Sequence, residues 1–320
     1  MSQTTQITAY ALGATLYMPA LSEDIYAVIF RQKLLKLRSL VICLEDAVAE
    51  TDVPFALEKL RQLLLKLEAA GGRLAKGPLV FVRPRDVQMA AVLNDWPLIK
   101  HLDGFVLPKL SLSNLPSWAA AVTNPDLKLM PTLETAEVFN PSAMVELGQA
   151  LKSTLQDRVI ALRIGGNDLL GCLGLRRNPQ TTLYDTPMGY AIPMLVSIMG
   201  AQNFALTAPV FEQLASPKLL KAELELDIAH GLVGKTAIHP SQIDIIQHSL
   251  RVSLSDLNTA NLMLSDTAPA VFQYNGAMCE PATHLKWATN ILQRAKWYGV
   301  KATHQGNQEA PIRLAGVNFK

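Results

Sequence analysis

Short apolar runs alternate with amphipathic segments up to about Leu250, with a repeat of about 30 residues. A run that is apolar at almost every position is typical of a buried parallel strand, whereas apolar residues at every third or fourth position indicate a helix. Eight such strands, alternating with helices, predict an α/β fold of the (β/α)8 or TIM-barrel type. The predicted strands cover residues 14–18, 39–44, 79–82, 104–107, 127–133, 159–163, 205–207 and 233–238.

The clearest predicted helix lies at residues 53–70, where leucines recur at every third or fourth position until Gly71-Gly72 ends the pattern. After residue 252 the pattern changes to a short helix near Ser255, an extended turn at 272–277 and a final amphipathic helix. We therefore expect a barrel domain over residues 1–252 and a small C-terminal helical appendage over residues 253–320. The other predicted helices cover residues 24–37, 112–122, 143–155, 191–199, 218–230 and 283–298.

Composition agrees with a folded enzyme and argues against several other classes of protein. Hydrophobic residues make up 49% of the 320 residues and charged residues 18%, which allows a large core and is unlike a disordered chain. A net charge of +2 without a basic block argues against a nucleic-acid partner. Prolines interrupt the uncharged stretch 186–211, so we expect no membrane span. Three widely spaced cysteines indicate a reducing, cytoplasmic location.

Charged side chains stand directly behind, or within a few residues of, the apolar strands. A buried strand that ends on a charge marks the point where the chain leaves the core. In a (β/α)8 barrel the C-terminal ends of the strands meet on one face, where the chemistry of such enzymes lies. The pattern therefore predicts an enzyme whose site lies on this rim. The residues concerned are Glu45, Asp46, Arg83, Lys109, Glu134, Asp168 and His239.

Glu134 and Asp168 follow successive predicted strands, which would place their carboxylates side by side on the rim. Two carboxylates, completed by water and an oxygen-rich substrate, are a usual way to hold Mg²⁺. The alternative interpretation is a pair of surface acids in βα loops. Gly165-Gly166-Asn167 precedes Asp168 and opens a helix, so its backbone N–H groups could face a substrate anion. A tight strand-to-helix turn would need the same small residues.

Three other rim residues each allow two interpretations. Arg83 suits bidentate capture of a substrate carboxylate, and it equally suits an internal salt bridge to Glu45 or Asp46. Lys109 could form a Schiff base in a metal-free aldolase. The nearby acids instead favour ion pairing or substrate orientation by Lys109. His239 could act on a substrate, or it could be a hydrogen-bonding rim residue.

Five short segments form a recognisable set, and they occur in the order of a known family. They are Leu16-Tyr17-Met18-Pro19, Leu44-Glu45-Asp46-Ala47-Val48, Val106-Leu107-Pro108-Lys109, Leu133-Glu134-Thr135-Ala136 and Ala237-Ile238-His239-Pro240-Ser241-Gln242. Together they resemble the HpcH/HpaI aldolase and citrate lyase beta-subunit family over about residues 12–300. Within that family, the chain is most similar to the carbon–carbon bond lyase branch linked to tellurite-resistance gene clusters. The resemblance implies a Mg²⁺-dependent barrel, usually a homotrimer or hexamer, that makes or breaks a carbon–carbon bond.

The resemblance also implies roles for individual residues. Family metal ligands map onto Glu134 and Asp168, and the substrate-binding arginine maps onto Arg83. Glu45 and Asp46 take the places of supporting acids on the catalytic rim. Lys109, Gly165-Gly166-Asn167 and His239 remain the expected substrate-binding residues.

The C-terminal part and the first strand add one expected catalytic residue and one departure. In the family, an aspartate after a Gly-x-Met segment crosses to a neighbouring subunit, and Glu280 matches its place as an acid–base group. The alternative interpretation of Glu280 is a solvent-facing acid beside a turn proline. The family's first strand opens with Arg-Ser, but here Gly13-Ala14 occupies those positions, so coenzyme A recognition is in doubt. Arg163 and Arg176-Arg177 are additional arginines to which anion binding could have moved. The plain alternative is that they are solvent-exposed charges.

The expected activity is Mg²⁺-dependent cleavage or formation of a carbon–carbon bond in a 2-oxo or 3-hydroxy carboxylic acid, or in its coenzyme A thioester. Two other interpretations stay open, a malate-synthase-like condensing enzyme and a non-catalytic barrel that serves as a binding or scaffold subunit. The intact Arg83, Glu134 and Asp168 argue against the scaffold, while the missing Arg-Ser pair keeps it open.

Overall fold

Eight parallel strands, β1 to β8, form one sheet in which consecutive strands are neighbours. The computed structural model describes residues 7–155, 158–301 and 312–313. β8 pairs with β1, and a bridge from Ala208, just after β7, to Lys235 of β8 joins the two remaining edges. The sheet therefore closes into the predicted (β/α)8 barrel. The strands are β1 Ala14–Pro19, β2 Ser39–Cys43, β3 Leu79–Arg83, β4 Gly104–Leu107, β5 Lys128–Leu133, β6 Leu162–Ile164, β7 Leu206–Thr207 and β8 Lys235–Ala237.

Helices connect the barrel strands along the chain, and the leucine-rich helix predicted at 53–70 is confirmed as α2. The helix predicted at 24–37 is wrong beyond its first turn, because α1 ends at Ile29. The chain then enters the left-handed region at Arg31 (φ 53°) and Leu34 (φ 51°), which no right-handed helix can contain. The helices are α1 Ile25–Ile29, α2 Val53–Ala69, α3 Val87–Asn94, α4 Leu115–Ala121, α5 Pro141–Thr154, α6 Gly166–Cys172, α7 Met188–Ala201, α8 Pro217–Ala229 and α9 Ser241–Ser249.

The barrel interior is filled in layers, and the lower layer is apolar. Val41 of β2 lies beside Phe81 of β3 in the strand register, so both side chains share the inner face. Side chains alternate along a strand, so Arg83 and Thr132, two residues beyond inner-layer residues, also point inward, nearer the C-terminal rim. The next layer up is therefore polar. The lower layer includes Leu12, Val41, Phe81, Val106 and Met130, all buried.

The described residues from Gln247 onward form a second compact unit, whereas the predicted boundary lay at residue 252. The segment predicted as an extended turn at 272–277 is a hairpin, because Asn275 (φ 50°) and Gly276 (φ 75°) form a two-residue left-handed loop. Two helices and this hairpin share one hydrophobic core. The elements are α10 Leu254–Met263, β9 Phe272–Tyr274, β10 Ala277–Cys279, α11 Pro281–Tyr298 and β11 Ile312–Arg313.

Two further expectations concern the membrane and the cysteines. In the described part of the chain, no helix combines the length and the apolar character that crossing a bilayer requires. Cys43, Cys172 and Cys279 are all free thiols.

Candidate active site

Glu134 follows β5 and is only 3% exposed, at the C-terminal end of the barrel. Its Oε1 accepts hydrogen bonds from Arg83 Nη2 at 2.9 Å and from the Lys109 backbone N–H at 2.8 Å. Lys109 has a left-handed backbone (φ 49°), and the Asn114 side chain secures this turn by donating to the Lys109 carbonyl. Both donors reach Oε1, so Oε2 is left facing Gly165. Glu134 is therefore held in one orientation.

The glycines after β6 leave room for this carboxylate. A Cβ added to Gly165 would collide with Glu134 Cβ and lie 2.5 Å from its Oε2. A Cβ on Gly166 would lie 2.8 Å from Pro209 Cβ, and Asn167 is exposed. The tight-turn interpretation of these glycines is thus confirmed, with the added reason that Glu134 needs the space. Contact of Gly165-Gly166-Asn167 with a substrate anion stays a prediction.

Arg83, at the end of β3, is the counter-ion that the rim acids share. Its Nη2 lies 2.5 Å from Glu45 Oε2, 2.9 Å from Glu134 Oε1 and 3.6 Å from Asp46 Oδ2. The contact with Glu45 is an ion pair without hydrogen-bond alignment, and Arg83 Nε has no hydrogen-bond partner among the described residues. Lys109 Nζ lies 3.0 Å from Glu45 Oε1 and 3.9 Å from Asp46 Oδ1. The internal salt bridge of Arg83 and the ion pairing of Lys109 are therefore confirmed.

Burial and neighbouring charges shift the pKa values of this cluster. Burial raises the pKa of Glu134 to about 7; Arg83 opposes the shift, and repulsion from Asp168 adds to it. Burial also raises the pKa of Glu45, again against the attraction of Arg83. Burial disfavours the charge on Arg83, yet attraction to Glu134 and other neighbours leaves its pKa raised. The hydrogen bond to Glu45 raises the pKa of Lys109. Glu134 is thus a carboxyl group that titrates near neutral pH.

Asp168 lies in the first turn of α6 and is half-buried. It is close enough to Glu134 and Lys109 for its charge to shift the pKa of both. In the described part of the chain no three His, Cys, Asp or Glu residues are grouped to hold a metal. Two carboxylates completed by water and substrate oxygens are nevertheless a normal Mg²⁺ site. With Oε2 turned away from both donors of Glu134, the pair fits this hard, oxygen-seeking cation.

Arg163 of β6 lies inside the barrel, so its interpretation as a solvent-exposed charge is wrong. It is 2% exposed, its Nη2 donates to Thr236 Oγ1 at 2.5 Å, and its Cζ lies 5.2 Å from the centroid of the Tyr17 ring. Burial lowers its pKa. Strand alternation explains the position, because Arg163 is two residues from Gly165, which faces Glu134.

Arg176 and Arg177 differ from Arg163 and from each other. Arg176 is exposed, as the plain alternative expected. Arg177 is 5% exposed, so that alternative is wrong for it. Its Nη1 lies 2.5 Å from Glu223 Oε2, Glu212 pairs with its Nε, and its Cζ lies 5.1 Å from the Phe211 ring centroid. Acids of the protein itself therefore neutralise Arg177, and it is not available to a substrate anion.

The remaining expected residues are placed as follows. His239 is exposed, and its Nδ1 accepts a hydrogen bond from the Ser241 backbone N–H in its own loop. Glu280 immediately precedes α11 in the second unit and is half-buried. Gly13 is buried with φ 57°, a backbone conformation that arginine would adopt only with strain. Substrate binding by His239 and catalysis by Glu280 stay predictions.

Sequence reasoning missed the polar threonines inside the barrel. Thr132 of β5 and Thr207 of β7 are buried, and their hydroxyls have no hydrogen-bond partner among the described residues. Both flank Arg163 in the strand register. A threonine two residues before Glu134, within the otherwise apolar run 129–133, is the signal that could have identified the first of them.

A closed barrel that gathers Glu134, Asp168 and Arg83 at the C-terminal ends of its strands defines a TIM-barrel enzyme. The family model described as C-C_Bond_Lyase of the TIM-Barrel fold matches residues 6–300. The chain belongs to this family, which confirms the resemblance found in the sequence. A (3S)-malyl-CoA thioesterase from Cereibacter sphaeroides is 25% identical over 258 residues, 80% of this chain and 83% of that protein.

Solved structures share the fold at low sequence identity. The protein CitE from Mycobacterium tuberculosis, in complex with magnesium, acetoacetate and coenzyme A, matches with a TM-score of 0.65 and 22% identity. That match covers 90% of this chain and 99% of CitE. The malate synthase of Haloferax volcanii, complexed with magnesium and glyoxylate, matches with a TM-score of 0.60 and 14% identity over 74% of each chain. At these identities the structural matches establish the fold alone.

Proposed function

We propose that this protein is a Mg²⁺-dependent lyase that cleaves or forms a carbon–carbon bond in a 2-oxo or 3-hydroxy carboxylic acid, or in its coenzyme A thioester. The observation that carries the proposal is the buried Glu134, fixed by two donors beside Asp168 on the barrel rim. Membership of the carbon–carbon bond lyase family supports it, as do the magnesium ions in the CitE and malate synthase complexes.

Glu134 and Asp168 would hold the Mg²⁺ ion, Glu134 through the oxygen that faces Gly165. When bound, the ion supplies positive charge to the substrate oxygen on which an enolate-like charge develops. The two hydrogen bonds to Oε1 hold Glu134 ready, so little reorganisation is needed as that charge grows. The restricted space at Gly165 serves the same purpose, because it keeps the carboxylate where the donors place it.

Arg83 would bind a carboxylate of the substrate through its Nε–H. That group is buried and has no hydrogen-bond partner in the described part of the chain, while Nη2 is bound to Glu45 and Glu134. A charge-assisted hydrogen bond from a fixed guanidinium would orient the substrate against the metal pair. Glu45 acts as a positioning residue, because it contacts both Arg83 and Lys109. The exposed Lys109 Nζ and Asp46 would meet the substrate at the mouth of the site, with His239 at its edge.

Aldol-type chemistry also needs a proton carrier, since a hydroxyl proton leaves and an enolate carbon is reprotonated. Asp168 and Glu134 would be tied to the cation, so neither is free for this task. Our candidate for the proton carrier is Glu280, supplied by a neighbouring subunit of a homotrimer or hexamer. We also propose that the protein is cytoplasmic.

Two related reactions use the same residues. Condensation of the malate-synthase type would run through the same enolate, and the fold shared with the Haloferax volcanii enzyme favours it. Hydrolysis of a thioester is favoured by the relative named (3S)-malyl-CoA thioesterase. Product analysis separates the three, because only cleavage shortens the carbon chain, only condensation extends it, and hydrolysis leaves it intact while releasing the thiol.

Calorimetric titration with Mg²⁺ tests the metal assignment. Glu134→Gln and Asp168→Asn should each abolish measurable Mg²⁺ binding while circular dichroism shows the fold retained. Glu146→Gln, an exposed carboxyl on α5, is the matched control and should bind like the wild type. Binding at wild-type strength in both rim variants would refute the assignment.

A further inference from the structure

Arg163 carries a buried positive charge, and no acid among the described residues lies within ion-pair distance of it; Glu134 attracts that charge only from farther away. Its guanidinium contacts Thr236 Oγ1, Met130 Sδ at 3.8 Å and the side chain of Tyr17, through both a hydrogen bond and the ring, and none of these groups is a carboxylate. Arg177, which is similarly buried, has two acids within ion-pair distance. A buried charge is costly unless an opposite charge and hydrogen bonds compensate it, and Arg163 has the hydrogen bonds but lacks an adjacent opposite charge.

Two buried hydroxyls next to Arg163 have no hydrogen-bond partner within the described part of the chain. Thr132 is the register neighbour of Arg163 on β5, and Thr207 is its register neighbour on β7. Register partners in a parallel sheet point to the same face, about 4.8 Å apart, so both threonines flank the arginine inside the barrel. Thr132 is 2% exposed and Thr207 0%, and neither Oγ1 has a hydrogen-bond partner among the described residues. An unsatisfied buried hydroxyl costs free energy, and two of them beside a guanidinium without an adjacent acid favour the binding of a ligand.

This group lies directly below the candidate metal ligands. Thr132 of β5 precedes Glu134 by two residues, and Arg163 of β6 precedes Gly165 by two residues. Two residues correspond to about 6.6 Å along the strand, so the group is one layer deeper than the rim. Below it lies the apolar layer that includes Phe81 and Met130, which closes the barrel.

We propose that Arg163, with the hydroxyls of Thr132 and Thr207, forms a subsite for a free carboxylate group of the substrate. Because the apolar layer lies below this group, the subsite would take a compact anion and not the long, polar chain of a coenzyme A thioester. Resting on the proposed function, it identifies the substrate class as short dicarboxylic oxo or hydroxy acids. One end of such an acid faces Glu134 and Asp168, and the other end binds Arg163.

Malonate titration by calorimetry, with a chelator present so that no Mg²⁺ contributes, tests the subsite. Wild-type protein should bind malonate, and the uncharged malonamide should not bind. Arg163→Gln should weaken malonate binding about a hundredfold or more, and Thr132→Val and Thr207→Val about tenfold each. The valine variants should be as stable as wild type or more so, because each removes a hydroxyl that has no partner.

Thr8→Val is the matched control, because Thr8 Oγ1 is also buried without a partner but lies before β1, outside this group. It should leave malonate binding unchanged. If Arg163→Gln does not fold, the two valine variants still decide the question. Malonate binding that is absent from the wild type, or unchanged in the Arg163 and threonine variants, overturns the proposal. The Mg²⁺ titration described above is independent of the malonate titration. The two experiments can therefore refute the metal site and the carboxylate subsite separately.

Discussion

Replacing Arg83 by methionine should destabilise the protein in a strongly pH-dependent way. The Arg83 side chain is 9% exposed, and its ion-pair partners Glu45 and Glu134 are 4% and 1% exposed. Arg83→Met keeps much of the volume but leaves two buried carboxyl groups without their shared cation. Removing one partner of a buried ion pair costs about 3–5 kcal/mol, so we expect a loss of this size in the free energy of unfolding above neutral pH.

The sign of the pH dependence follows from the pKa values. Arg83 lowers the pKa of both acids, which burial already raises, so removing it raises both values further. A carboxyl whose folded pKa exceeds its unfolded value contributes stability below the unfolded pKa, and this contribution disappears as the pH rises through the folded pKa. Between the unfolded-state and folded-state pKa values, each extra proton that the folded state retains lowers the free energy of unfolding by about 1.4 kcal/mol per pH unit. The free energy of unfolding of the variant should therefore be close to that of the wild type at about pH 5 and fall furthest below it at about pH 8.

Urea unfolding of wild type and variant at both pH values measures this difference. Arg61→Met is the control, because Arg61 forms an exposed pair with Glu58 three residues away on α2. It should change stability little and equally at both pH values. An Arg83→Met variant that is equally destabilised at both pH values, or not destabilised at all, would refute the account of Arg83 as the shared counter-ion.

Three other predictions concern the rim. Gly165→Ala should displace Glu134 and weaken Mg²⁺ binding about tenfold or more. Gly171→Ala is the control, because open space surrounds Gly171, and it should bind Mg²⁺ like the wild type. Equal Mg²⁺ affinities of the two variants in calorimetric titration would contradict this prediction. Since the pKa of Glu134 is about 7 before metal binds, Mg²⁺ affinity should fall about tenfold per pH unit below that value, and a flat profile would argue against Glu134 as a ligand. Glu280→Gln should lower turnover about a hundredfold without changing Mg²⁺ affinity, and mixed oligomers with Asp168→Asn should recover activity if the site is shared between subunits.

Strand order and the position of the rim charges could be predicted from the sequence because both depend on local patterns. Parallel strands buried on both faces are almost wholly apolar, so Glu45, Arg83 and Glu134 stood out where the runs ended. Helix α1 was overestimated, because apolar periodicity continues through Arg31 and Leu34 although the backbone turns left-handed there. The Asn275-Gly276 hairpin was missed, although Asn-Gly is a strong hairpin signal.

The candidate site was predictable only in part, because contacts between distant strands decide it. The sequence offered a salt bridge for Arg83 but could not show that Glu134 shares it, or that Gly165 leaves room for that carboxylate. Arg163 and Arg177 looked alike as surplus arginines. Only the folded chain shows that Glu223 neutralises Arg177, and that Arg163 lies inside the barrel with no described acid at ion-pair distance.

Hydrogen–deuterium exchange at the carbon next to the reacting carbonyl tests the central claim most directly, because it reports the enolate without requiring the full reaction. Pyruvate, acetoacetate and acetyl-CoA, incubated separately with the protein in heavy water and followed by proton NMR, are suitable probes. We predict Mg²⁺-dependent exchange above the protein-free rate for at least one of them, abolished by Glu134→Gln and retained by Glu146→Gln. Exchange that survives in Glu134→Gln, or no exchange in any probe with Mg²⁺ bound, would contradict an enolate-stabilising site at Glu134 and Asp168.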